Sequence, residues 1–227
     1  MDVSQLAQTV AIYALPVLFA ITLHEAAHGY VARHFGDMTA FAQGRISLDP
    51  VRHVELMGTM IVPALLLLAT GGKFAFGWAK PVPVNYSALR KPRLHMALVA
   101  AAGPVANLAM LLVWAAVLRA GVELPAGPAA EFLLRLAMAG VVVNLVIMAF
   151  NLLPILPLDG GRILVGILPA PMATVFGRTE ALGSYFFMAF AVFGIYDSTV
   201  NNGRFIAGLF QPLNQLAFEL LRAIASS

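Results

Sequence analysis

The chain has 227 residues, 60% of them hydrophobic and only 11% charged, which excludes an ordinary soluble domain. Its formal net charge of +3 sits in loops without aromatic-interleaved basic patches, so it suits an anionic membrane face and not nucleic acid. Cysteine is absent, which rules out thiolate metal sites and disulfides.

Several apolar runs approach the ~20 residues needed to cross a bilayer. The composition predicts an all-α polytopic membrane protein, a bundle of about five or six transmembrane helices. A short re-entrant or β-containing segment is expected after the first helix. No long hydrophilic stretch leaves room for a soluble appendage, so residues 1–227 read as one membrane-embedded domain, with a core over about 10–165 and C-terminal helices over about 180–225. The start, Met1-Asp2-Val3-Ser4, lacks the basic region of a cleaved signal peptide, so the first apolar helix is expected to stay in the membrane.

The first span is expected from about Gln8 to Arg33, bent near Pro16. It contains Leu23-His24-Glu25-Ala26-Ala27-His28-Gly29. On a helix His24 and His28 project from the same face one turn apart. Two imidazoles so placed can share one zinc ion, and Glu25 beside them can take a proton from the attacking water. Ionisable groups in an apolar span are costly without something to bind, so they are functional candidates by default. The helix climbs about 21 Å from Val10 to His24 and about 14 Å on to Arg33, which puts the site below the membrane surface on the Arg33 side.

Next, Thr39 to Leu48 alternates weakly and is read as possible short strands. The apolar run Leu56 to Ala69 follows, then Gly71-Gly72 and the stretch Phe74 to Asn85, where Pro81 and Pro83 favour extended backbone. Arg33, Arg45 and Arg52 precede the run; Lys73, Lys80, Arg90, Lys91 and Arg93 follow it. Both flanks are basic, so both are expected on the cytoplasmic side, with Leu56–Ala69 dipping in and returning.

Two further spans are expected over Leu94–Leu118 and Phe132–Leu153, joined by an outside loop from Arg119 to Glu131 that carries little positive charge. The second ends in Asn151-Leu-Leu-Pro-Ile-Leu-Pro-Leu-Asp-Gly-Gly161. A fourth span is expected over Leu182–Ile195. The last, Phe205–Ile224, carries Gln211, Gln215, Glu219 and Arg222 along one face and either crosses or lies in the interface.

A zinc held by two histidines needs a third protein ligand. Asp159 stands out because Pro154 and Pro157 break the helix before it and Gly160-Gly161 permit close backbone approach. The same Leu-Asp-Gly-Gly is equally an ordinary turn leaving a helix, and spacing does not choose between the two. Asn107 and Asn151 demand partners if buried in hydrocarbon; they suit substrate binding or an oxyanion, and equally glue between helices.

Three stretches together resemble the site-2 proteases (peptidase family M50), zinc metalloproteases that cut transmembrane helices within the membrane. They are His24-Glu25-Ala-Ala-His28, Gly103-Pro-Val-Ala-Asn107, and Asn151-Leu-Leu-Pro154-Ile-Leu-Pro-Leu158-Asp159-Gly160, matching the family's HExxH, GxxxN and NxxPxxxLDG patterns in order. The resemblance covers about Ala14 to Arg162 and points to a compact member without a PDZ or CBS domain. It implies one Zn²⁺ per chain with His24, His28 and Asp159 as ligands, Glu25 as general base, and Asn107 and Asn151 as polar positions near the site. It also implies transmembrane protein substrates in a lipid bilayer, and a multi-pass protein of the cell membrane with its site nearer the cytoplasm. The rivals are a metal-ion transporter and a catalytically inactive helix-binding protein of the same fold. A transport path needs polar residues at several depths, and here they cluster at one; the intact Glu25 and full ligand set speak against the inactive relative. Substrate identity and oligomeric state are not written in the chain.

Overall fold

The computed structural model describes residues 3–226, with backbone alone for 3–6, 214, 220, 221 and 224–226. Helices dominate, and no strand forms among the described residues. Helix α1 spans Val3–His34 with Pro16 inside it. Its inward face, including Ala20, Thr22, Ala26 and Ala32, is buried, whereas Val10, Tyr13, Phe19 and Tyr30 are exposed. Gly36, at φ 109°, turns the chain out of the helix.

The strands read for Thr39–Leu48 are replaced by one helical turn, α2 (Thr39–Ala42). The cause is Asp37. One of its oxygens accepts from the Thr39 N–H at 2.9 Å and the other from the Asn85 N–H at 2.7 Å, so the backbone is wound into a turn where an alternating pattern alone suggested extension.

The run Leu56–Ala69 is helical, beginning with a π-helical stretch and continuing as α3 (Val62–Ala69). Thr70 closes it: its hydroxyl donates to Leu66 O at 2.7 Å and accepts from the Phe74 N–H at 3.1 Å. Gly71 and Gly72, at φ 63° and 83°, then reverse the chain. The returning segment comes back to the start of the same helix, where the Trp78 N–H donates to Gly58 O at 3.0 Å. A Cβ on Gly58 would lie 2.3 Å from the Trp78 ring, so glycine is what lets the two limbs meet. Below that point the Lys80 N–H reaches His53 O at 2.9 Å. The Arg45 guanidinium ties the two limbs together through Arg52 O (2.7 Å) and Lys80 O (3.0 Å).

The centre of the molecule is α4 (Pro92–Val122), packed against α1, α5 (Pro128–Asn151) and α6 (Asp159–Ile167). Gly140 of α5 lies against Trp114 of α4, where a Cβ would come within 2.2 Å of the indole. Around it Leu111, Leu118, Leu136, Val141 and Leu145 form the apolar core. In lipid such contacts stabilise by close packing more than by exclusion of water.

Past α6, α7 (Ala170–Gly177) and a 3₁₀ turn lead into α8 (Gly183–Val200) and α9 (Arg204–Ser226). Buried Asp197 caps α9, accepting from the Phe205 and Ile206 N–H groups at 3.2 and 2.9 Å. Leu213 and Ala217 of α9 join the α4–α5 core, while Gln211, Gln215, Glu219 and Arg222 are exposed. Among the described residues, four segments are long and apolar enough to cross a bilayer: Ala7–His34, Pro92–Val122, Pro128–Asn151 and Ala170–Val200.

Candidate metal centre

The three helices that meet at α4 bring His24, His28 and Asp159 together, although Asp159 lies far along the chain. The imidazoles follow from their spacing on α1, and their Nε2 atoms stand 3.1 Å apart. Asp159 is delivered by the break after α5. Gly160 packs on the turn that follows α5, where a Cβ would sit 2.2 Å from Leu152 O; Gly161 packs on Ile155 in the same way. These contacts seat the start of α6, whose first residue is Asp159, against the histidines. Its Oδ2 is 3.1 Å from His24 Nε2 and its Oδ1 3.4 Å from His28 Nε2. All three side chains are buried.

The outer nitrogens of both rings are engaged. His28 Nδ1 lies 2.7 Å from Val99 O. A carbonyl only accepts, so Nδ1 carries the proton and the neutral ring keeps its lone pair on Nε2. His24 Nδ1 lies 2.7 Å from Asn107 Oδ1, which imposes the same tautomer. Two lone pairs and a carboxylate therefore converge with no donor between them. Asp159 Oδ2 is buried without a hydrogen-bond partner, an arrangement that is costly unless a positive charge sits among the three.

The spacing decides which charge fits. Ligand atoms about 2.0–2.1 Å from a tetrahedral zinc are about 3.3 Å from each other. The two Nε2 atoms are 3.1 Å apart, and they lie 3.1 and 3.4 Å from the two different oxygens of the Asp159 carboxylate, so each pair is near that spacing. A proton would satisfy one pair and leave the others facing, whereas one divalent ion meets all three. Gly103 of α4 closes this side: a Cβ there would lie 2.6 Å from both Nε2 atoms, so only glycine lets α4 pack against the two imidazoles as they stand. Two imidazoles and one carboxylate, with a position left over, are the donor set of a catalytic zinc.

Glu25 is half-buried, and its Oε2 accepts the Val82 N–H at 2.7 Å. This contact uses the extended segment held by Arg45. Arg162, three residues past Asp159, pairs with Glu180 at 2.7 Å and lies 5.0 Å over the Tyr86 ring. Burial pushes the Tyr86 phenol up, so it stays neutral there.

The two asparagines part company. Asn107 is fully buried and its amide is spent: Oδ1 on His24, Nδ2 on Asn144 Oδ1 at 3.0 Å and on Ala20 O at 3.3 Å. Asn151 is half-buried and donates from Nδ2 to Ile147 O of its own helix at 3.0 Å. Sequence reasoning passed over Asn144 and the Val82 N–H. Asn144 gave a signal, an isolated amide in an apolar span, of the kind that singled out Asn107. A main-chain donor gives none.

Comparison with known proteins agrees with this chemistry. The sequence model described as Peptidase family M50 matches residues 121–194, which include Asn144, Asn151 and Asp159. The Bacillus subtilis (strain 168) protein named "Putative zinc metalloprotease YwhC" is 36% identical over 212 residues, 88% of this chain and 92% of that protein. Rip2 of Mycolicibacterium smegmatis and Rip2 of Mycobacterium tuberculosis, which carry the same description, are 31% and 32% identical over 143 residues, 63% of this chain and 52% of each relative. No solved structure matches. The likeness to YwhC runs through nearly the whole of both chains, and on that ground this protein belongs to peptidase family M50, the multi-pass zinc metalloproteases of the membrane.

Proposed function

We propose that this chain is an endopeptidase that hydrolyses peptide bonds within or beside transmembrane segments of other membrane proteins, acting as one domain. His24, His28 and Asp159 hold the zinc and Glu25 is the general base. The observation that carries the reading is the convergence of the His24 and His28 Nε2 atoms, 3.1 Å apart, on the two oxygens of the buried Asp159 carboxylate at 3.1 and 3.4 Å. Zinc held there supplies Lewis acidity, polarising the scissile carbonyl and making water easier to deprotonate.

The rest is done by this chain's own groups. Glu25, with Oε2 anchored by Val82, keeps Oε1 to take the proton of the attacking water and pass it to the departing amine. Asn107, with no donor to spare, orients His24 and does not contact substrate. The Leu56–Ala69 helix and its return are joined at Trp78–Gly58, and the returning backbone runs on to Val82 beside Glu25; this supports a re-entrant element that admits water from the face bearing Arg45 and Lys80. That face is the cytoplasmic one, and α9 adds a further membrane element to the four spans.

The test is a Glu25→Gln variant reconstituted with a membrane-protein substrate. It is expected to retain zinc and to lose about 10²–10⁴ in cleavage rate, because the base is not a ligand. Near-normal cleavage by this variant excludes the assignment, and loss of zinc with it places Glu25 among the ligands.

A further inference from the structure

Asn144 has no part in the reading above, yet it sits at the far end of a chain of hydrogen bonds that reaches the metal centre. It stands alone as an amide in the middle of α5 and is 0% exposed. Its Nδ2 donates to Gly140 O at 2.8 Å and its Oδ1 accepts from Asn107 Nδ2 at 3.0 Å. A main-chain carbonyl only accepts, so Gly140 fixes which end of the Asn144 amide faces which way. Asn107 must then turn its NH₂ toward Asn144 and Ala20 O, which leaves its oxygen for His24 Nδ1. An acceptor at that position requires a proton on Nδ1, and the lone pair of the ring falls on Nε2, beside Asp159.

We propose that Asn144 of α5 is a positioning residue that sets the tautomer and ring orientation of His24 through Asn107 of α4, and so poises Nε2 to bind zinc. The inference rests on the reading of His24 as a ligand. Without Asn144, the Asn107 amide is held in its present sense by the 3.3 Å contact to Ala20 O alone. It can then rotate end for end and present NH₂ to His24 Nδ1, which puts the ring proton on Nε2, where it blocks ligation. His28 provides the contrast inside the same site. Its Nδ1 faces the main-chain carbonyl of Val99, which cannot be reversed, so its tautomer needs no such relay. The competing role for Asn144 is glue between α4 and α5, which would affect stability and leave the metal untouched.

The experiment uses the full chain purified in detergent, with zinc affinity read by competition with a chromophoric chelator and geometry by the visible spectrum of the Co²⁺-loaded protein. Asn144→Leu is expected to weaken zinc about 10-fold and to change the Co²⁺ bands, and Asn107→Leu to weaken zinc at least as much, as outer-shell partners of ligating histidines do. The double variant is expected to bind no more weakly than Asn107→Leu alone, because both residues act along one path. Leu145→Ala, a buried neighbour in the same helix, is expected to lower the melting temperature with zinc affinity unchanged. Should Asn144→Leu fail to fold, Asn144→Ser, too short to reach Asn107, serves with the same expectation. Wild-type zinc affinity in the folded Asn144 variant, or additive losses in the double variant, overturns the proposal. If the unmutated chain itself takes up no zinc, the ligand assignment falls and this inference with it, an outcome read before any Asn144 variant is made.

Discussion

The main-chain N–H of Val82 donates to Oε2 of Glu25 at 2.7 Å, joining residues 57 apart. Pro81 and Pro83 have no N–H, so Val82 offers the one donor of residues 81–83. Fixing one carboxylate oxygen leaves the other available, which suits the general-base role proposed for Glu25. Val82→Pro deletes the donor while keeping a backbone suited to extension. Turnover is expected to fall about 10- to 100-fold with zinc content unchanged. If turnover holds steady in the zinc-loaded variant, the amide plays no part in holding the base.

Gly103 leaves no room for a side chain beside the two imidazoles. The nearest atoms to a Cβ there are His24 Cε1 at 2.5 Å and the two Nε2 atoms at 2.6 Å. Gly103→Ala is expected to keep the helix, since alanine favours it, and to displace the imidazoles from one another. Metal analysis of the purified variant checks this: the folded protein should carry little zinc. A full equivalent of zinc would mean that α1 can back away from α4 at no cost to the site.

The path of the chain around Leu56–Ala69 makes a prediction about sidedness. Fourteen residues of helix climb only about 21 Å, short of the ~30 Å hydrocarbon core. The backbone then returns to Gly58 at Trp78, and Arg45 holds both limbs. Arg52 and Arg90 should therefore face the same aqueous phase. The chain has no native cysteine, so single cysteines at these positions can be labelled with an impermeant thiol reagent in oriented vesicles. Labelling from opposite sides would show that the segment crosses.

How much of this is legible in the sequence depends on the kind of group. His24, Glu25 and His28 announce themselves because helical spacing is regular and charged groups are expensive in an apolar span. The long helices were readable from length and hydropathy. The strands read for Thr39–Leu48 failed for a local reason, since weak alternation carries little weight against the two backbone N–H groups that Asp37 captures. Asn144 was missed because it belongs to no recognisable spacing; its meaning depends on facing Asn107 across a helix pair that Gly140 and Trp114 bring close. Asn151 drew attention from its place in a motif, yet its amide bonds within its own helix.

The last prediction concerns which carboxylate completes the centre. Four acidic residues compete on sequence: Asp37, Asp49, Glu55 and Asp159. Asp37 is buried, but both of its oxygens are committed, to the N–H groups of Thr39 and Asn85. Asp49 caps the short turn at Pro50 by accepting from the Val51 N–H at 3.0 Å, and the Arg52 guanidinium lies 3.9 Å from it in an exposed setting. Glu55 precedes the Leu56–Ala69 helix and is outside the cluster of metal-capable groups among the described residues, which contains His24, His28 and Asp159. Asp159 alone of the four faces both Nε2 atoms, and a buried carboxylate oxygen without a hydrogen bond is costly until a cation reaches it. Asp159→Asn removes the one anion and leaves two neutral imidazoles, so zinc binding is expected to weaken by at least about 100-fold, more than loss of an outer partner costs. The stabilisation that added zinc gives the wild-type chain against heat should vanish with it, because a ligand that favours the folded state shifts its melting point only if it binds. Asp49→Asn and Glu55→Gln should bind zinc as the wild type does. Asp37→Asn should bind zinc equally well while melting lower, since its amide can accept only one of the two N–H groups that the carboxylate holds. Zinc content that follows Asp37, Asp49 or Glu55 instead would remove Asp159 from the site.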